Sequence, residues 1–113
     1  MLKKYIYAIY AVFKNTWILQ HIYGQFKSII NWTGVDKDGQ PIPWYTYPCI
    51  EYLNQLDFTQ ATVFEYGSGN STLYWAKKAK HVVAVEDNEQ WFKKINKQLA
   101  KTDYTLVQSK KEY

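Results

Sequence analysis

"VFEYGSGNSTLYW", residues 63–75, places a strand-like run and a helix-like run on either side of a Gly-Ser-Gly turn. Val63 and Phe64 suit a β-strand, and the residues from Asn70 onward suit a helix. Glycines in such a turn can take positive φ and let a ligand come close to the backbone. The first turn of the helix points unpaired N–H groups at the same spot. Working outward, "ATVFE" (61–65) reads as a first strand and "NSTLYWAKKAK" (70–80) as a helix capped by Asn70 or Ser71. "HVVAVE" (81–86) reads as a second strand, its apolar run typical of a parallel sheet covered on both faces. "DNEQWFKKINKQLAK" (87–101) follows as a helix, with Asp87 and Gln90 as a capping box and Trp91, Ile95 and Leu99 on one stripe. "YTLVQS" (104–109) reads as a third strand. Strand-helix-strand-helix-strand order implies right-handed crossovers and parallel neighbours ordered 3-2-1. The expected fold class is therefore α/β, a partial Rossmann-like doubly wound parallel sheet, preceded by an aromatic-rich helical segment.

Ligands of such sheets bind beyond the carboxyl ends of the strands, where Gly67, Ser68 and Gly69 fall. Glu86 closes the second strand, 17 positions after Gly69, where an acid can take both hydroxyls of a ribose. The residues around the glycines discriminate between nucleotides. A dinucleotide turn needs a third glycine where Thr72 stands, and an apolar or small residue where Glu65 stands. A carboxylate at 65 repels a pyrophosphate and attracts an ammonium group. S-adenosylmethionine carries an ammonium group and a positive sulfonium.

"VFEYGSGNST" together with "HVVAVEDN" resembles the first two motifs of class I S-adenosylmethionine-dependent methyltransferases: an acid-x-Gly-x-Gly-x-Gly turn, then an acid ending strand two. "PWYTYPCIEYL" (43–53) is similar to the segment leading into that fold in a bacterial subset with the turn "GSGNST". The resemblance spans residues 43 to 109 and implies S-adenosylmethionine as cofactor. It implies that Glu65 orients the methionine portion and that Gly67, Ser68 and Gly69 supply backbone contacts. Glu86 would bind the ribose hydroxyls, with Asp87 beside the adenine. Ser71 stands where the family often has its third glycine. Tyr47 either reaches the cofactor carboxylate or packs. The family's sheet is larger than the three strands legible here, so the expected product is the cofactor-binding half of a methyltransferase, a truncated domain inactive by itself. Its methyl acceptor and catalytic residues are unassigned. The first strand would then be an exposed apolar edge, which favours self-association. Two alternatives remain open: a dinucleotide-binding oxidoreductase fragment, and a non-catalytic interaction or membrane-surface module.

The remaining sequence bounds these readings. At 113 residues the chain is one domain in size, divided into an N-terminal helical segment and loop (1–42) and the cofactor-binding part (43–113). All its basic residues are lysines, and without arginine the bidentate contacts of sequence-reading nucleic-acid proteins are missing. Cys49 is the single cysteine, His21 and His81 are isolated, and no cluster has metal-ligand spacing, which fits a reducing cytoplasm. The opening "MLKKYIYAIYAVF" imitates a signal peptide but lacks a small-residue cleavage site. In that setting Asn31-Trp32-Thr33 and Asn70-Ser71-Thr72 are chance matches to the glycosylation pattern. Residues 2–30 read as one helical segment with a break near Asn15-Thr16 or Gly24. It packs on the domain or on another copy, or lies on a membrane surface through Lys3, Lys4, Lys14 and Lys27. Pro48 suits the first turn of a short helix through "CIEYLNQL", with Ile50, Leu53 and Leu56 inward. Trp44, Tyr45 and Tyr74 are candidates for core packing or for lining a substrate opening.

Overall fold

The structure is a computed structural model that describes residues 2–99 and 104–108. The described residues form a mixed α/β structure with five helices and a parallel sheet, and the chain divides into two compact units, Met1–Gln40 and Pro41–Tyr113.

In the first unit, α1 (Leu2–His21) and α2 (Gln25–Asn31) are separated at Gly24, which settles the two break points left open by the sequence. Gly24 has φ 71°, and a Cβ there would lie 2.4 Å from the backbone nitrogen of Lys37. Only glycine tolerates both the left-handed backbone and that approach. Buried Ser28 then ties α2 to the following loop: its Oγ donates to the Val35 carbonyl at 2.7 Å and accepts from the Val35 N–H at 3.0 Å. α1 itself contains no buried residue, so its periodic apolar positions are not an inward stripe. No helix among the described residues is long and apolar enough to cross a membrane.

The second unit opens with α3 (Tyr47–Asn54), where Pro48 occupies the first turn and loses no helical hydrogen bond by doing so. Ile50 is buried and Leu53 half-buried, but Leu56 lies beyond the helix and is exposed, so the inner side is shorter than expected. There follow β1 (Thr62–Tyr66), α4 (Asn70–Ala76), β2 (His81–Glu86), α5 (Glu89–Leu99) and β3 (Tyr104–Gln108). β1 pairs in parallel with β2, Thr62 opposite His81 through Tyr66 opposite Val85. β2 pairs in parallel with β3, Val82 opposite Tyr104 through Glu86 opposite Gln108.

Both helix boundaries beside the turn differ from expectation. The N-cap of α4 is Gly69, and the Thr72 hydroxyl accepts from the Gly69 N–H at 3.0 Å; neither Asn70 nor Ser71 is the cap. Thr72 at the third helical position thus satisfies one of the helix's terminal donors from inside. α4 also ends at Ala76, with Lys77 and Lys78 closing onto the carbonyls of Tyr74 and Trp75. Before α5, Asn88 caps by accepting from the Trp91 N–H at 2.9 Å, and Asp87 lies outside the helix.

Among the described side chains of β1 and β2, one face of the sheet is covered. Val82, Ala84 and Glu86 are buried, whereas His81, Val83 and Val85 between them are half-buried. Against the covered face pack Tyr74 and Trp75 of α4, joined by Leu53, Phe58 and Val63. Leu73 meets Ile95 and Leu99 of α5, with Trp91 alongside, so the expected stripe on α5 is an inner one. On the other face, Phe64 and Tyr66 are 54% and 90% exposed opposite Val83 and Val85. The continuous apolar run of β2 therefore does not mean coverage on both sides: its residues pair with exposed aromatics on one side and helix side chains on the other.

Candidate functional site

The carboxyl ends of β1 and β2 meet at the turn 67–69, and the turn is held by a closed set of hydrogen bonds. Gly67 takes φ 82°, which points its N–H back to the Val85 carbonyl at 2.7 Å and extends the β1–β2 ladder by one step. Glu86, 5% exposed, accepts from the Ser68 N–H at 2.8 Å and the Ser68 hydroxyl at 2.9 Å through Oε2. Its Oε1 accepts from the Asn88 N–H at 2.9 Å. Burial pushes the Glu86 pKa upward, but the hydrogen bonds from Asn88, Ser68 and the Asp87 backbone outweigh it and hold the carboxyl below its ordinary value. Glu86 is therefore an ionised clasp joining the turn to the start of α5.

The third side of the clasp is Trp91, which the sequence marked only as a packing residue. Its indole N–H donates to the Ser68 carbonyl, and its ring lies 3.7 Å from where a Gly69 Cβ would stand. Lys94 sits over that ring, Nζ 4.3 Å from the centroid. A tryptophan one turn into the helix after an acid-Asp-Asn stretch is the available sequence signal: that spacing returns its ring to the glycine turn. Gly69 has φ 171°, an extended backbone open to any residue, and space for a Cβ, so folding alone does not demand glycine there.

The structure brings Glu65, Gly67, Ser68, Gly69 and Glu86 together at the strand ends. Glu65 lies on the covered face, paired with Ala84, and its Oε2 is buried with no hydrogen-bond partner. Such an atom is costly, about 1–3 kcal/mol when a buried polar group goes unsatisfied. Asp87 is exposed and, with Tyr66, Gly67 and Val85, lines an open depression of about 360 Å³ at the same strand ends. Ser71 is half-buried in the first turn of α4. Tyr47 belongs to the first turn of α3, half-buried, with its pKa raised by burial.

Thr72, at 1% exposure, fills the position where a dinucleotide turn needs glycine. Tyr74 is a core residue whose hydroxyl donates to Asn54 Oδ1 at 2.8 Å, while Trp44 and Tyr45 are exposed. Among the described residues no group of acidic, histidine or cysteine side chains could hold a metal ion. No protein-family model, curated protein or solved structure matches the chain.

Proposed function

We propose that the second unit binds S-adenosylmethionine as the cofactor-holding part of a class I methyltransferase, built on half of a doubly wound sheet of order 3-2-1. The observation that carries this reading is the buried, unpartnered Oε2 of Glu65 beside the glycine turn. A buried carboxylate oxygen is best satisfied by a cation, and the ammonium of the methionine portion is one. An anionic pyrophosphate fits poorly. It would meet the Glu65 carboxylate. The N–H groups of Gly67, Ser68 and Gly69 already have partners in Val85, Glu86 and Thr72, so the turn offers neither ligand those donors as it stands, and Glu65 carries the preference.

The same hydrogen bonds define what the other residues do. The open depression bounded by Tyr66, Gly67, Val85 and Asp87 suits the adenosine portion. Glu86 already accepts from Ser68 and Asn88, so ribose hydroxyls reach it by replacing the rotatable Ser68 hydroxyl, the donor most easily given up. The cofactor supplies an electrophilic methyl group; the chain's part is to orient it, and the acceptor is unassigned.

Calorimetric titration with S-adenosylhomocysteine, which keeps the ammonium and the adenosine, is the test. Binding of that ligand and none of NAD is expected. Glu65→Gln should weaken binding about ten-fold or more while leaving the melting temperature nearly unchanged, since it keeps the side chain's size and the buried oxygen has no partner to lose. Absence of binding, or equal affinity in Glu65→Gln, overturns the reading.

A further inference from the structure

The first unit carries a surface that the cofactor reading does not use. α1 runs about 30 Å at 1.5 Å per residue, and none of its residues is fully buried; Ala11 and residues 18–20 are half-buried, and the other described ones are exposed. Projected at about 100° per residue, Leu2, Ile6, Ile9 and Phe13 fall within roughly 60° of arc. These four are 58–74% exposed. Tyr5 borders the arc on one side, and Trp17 and Tyr10 on the other, all exposed. Lys3 and Lys14 stand just outside Trp17 and Tyr10, and Lys4 lies farther round on the face opposite.

Two polar residues, Thr16 and Gln20, interrupt the apolar arc, and the oxygen of each is engaged within the chain. The Thr16 hydroxyl donates to the Val12 carbonyl at 2.9 Å, and Gln20 Oε1 accepts from the Phe26 N–H at 3.0 Å. Charge is one-sided as well. Residues 1–35 contain Lys3, Lys4, Lys14 and Lys27 and not one acidic residue, while the whole chain has a net charge of +4.

We infer that α1 is an interfacial helix that lies in the surface of an anionic lipid bilayer. Aliphatic side chains and Phe13 enter the acyl boundary, the amphipathic rings of Tyr5, Tyr10 and Trp17 sit at headgroup level, and the flanking Lys3 and Lys14 meet lipid phosphates. The absence of acids and the flanking of an aliphatic centre by tyrosine and tryptophan favour an anionic surface over a protein partner of mixed charge. The helix lies on the membrane, since it is too polar to cross it.

The full chain is to be floated with vesicles of phosphatidylcholine alone and of phosphatidylcholine containing phosphatidylglycerol. Binding is expected to the anionic vesicles, falling as salt is raised. Lys3→Gln and Lys14→Gln should each weaken it about five-fold, Lys4→Gln on the opposite face should weaken it less, and Phe13→Glu should weaken it about ten-fold or more, without lowering the melting temperature. Failure to float, or flotation indifferent to lipid charge, overturns the inference. So does a dimer in sedimentation that Phe13→Glu dissolves, which would assign the face to a second copy. A Phe13→Glu protein with a lowered melting temperature would show the face covered within the fold and overturn it equally.

Discussion

The carboxyl ends of β1 and β2 carry the same side chain in two opposite conditions. Glu65 and Glu86 lie on the same face of the sheet, on neighbouring strands, either side of the glycine turn. Glu86 is ringed by donors from Ser68 and Asn88 and holds the turn in place, whereas Glu65 has a buried oxygen with no partner. An acid at a strand end is thus not functional by type. The fold has used one carboxylate as structure and left the other needing a partner, and unsatisfied buried groups are the ones a ligand can satisfy.

That contrast is open to direct attack. The largest effect is expected from Glu86→Ala, which strips three donors of their acceptor and should cost about 2–3 kcal/mol in chemical denaturation. If Glu86 were primarily a ribose ligand, the same substitution would leave stability near wild type. Trp91→Phe keeps the ring against Gly69 but leaves the Ser68 carbonyl without its indole donor; about 1–1.5 kcal/mol should be lost. The two glycines separate next. Gly67→Ala forces a side chain into left-handed backbone at φ 82° and should cost about 1 kcal/mol. Gly69→Ala meets ordinary contact distance in an extended backbone and should change stability by about 0.5 kcal/mol or less. If Gly69→Ala nonetheless abolishes S-adenosylhomocysteine binding, the glycine serves the ligand and not the fold.

The pH dependence sharpens the same comparison. The Glu86 carboxyl is held below its ordinary value in the folded chain, so the unfolded chain binds more protons around that value. Its contribution is fully present above the ordinary glutamate pKa of about 4.3 and is lost as pH falls through the lower folded value. Melting temperatures taken between neutral pH and strong acid should fall in that window, and Glu86→Gln should flatten the fall. An unchanged profile in Glu86→Gln would mean that other carboxylates, such as the exposed Asp57 or Glu89, set the acid limit.

Elements with local signals were readable from the chain. "HVVAVE" is β2 residue for residue, Pro48 lies in the first turn of α3, and the stripe of Ile95 and Leu99 faces inward. Capping was less readable because adjacent residues compete: Asp87 and Asn88 are both good caps, and Glu86 decides between them by turning back to the Asn88 N–H. Coverage of the sheet was not readable at all. Val82 to Val85 look alike in sequence, yet only alternate residues are fully buried, and α1, though rich in apolar residues, has none fully buried. At the turn, residue type named Glu65 and Glu86 as equals.

By itself, then, the sequence determined the strand and helix runs of the second unit and the place of the glycine turn, because periodicity and backbone permissiveness act over a few residues. Tertiary contacts settled which carboxylate is satisfied, which residues of β2 are buried and that Trp91 closes the turn. Those outcomes depend on donors and side chains distant in sequence, and no local pattern encodes which of them will arrive.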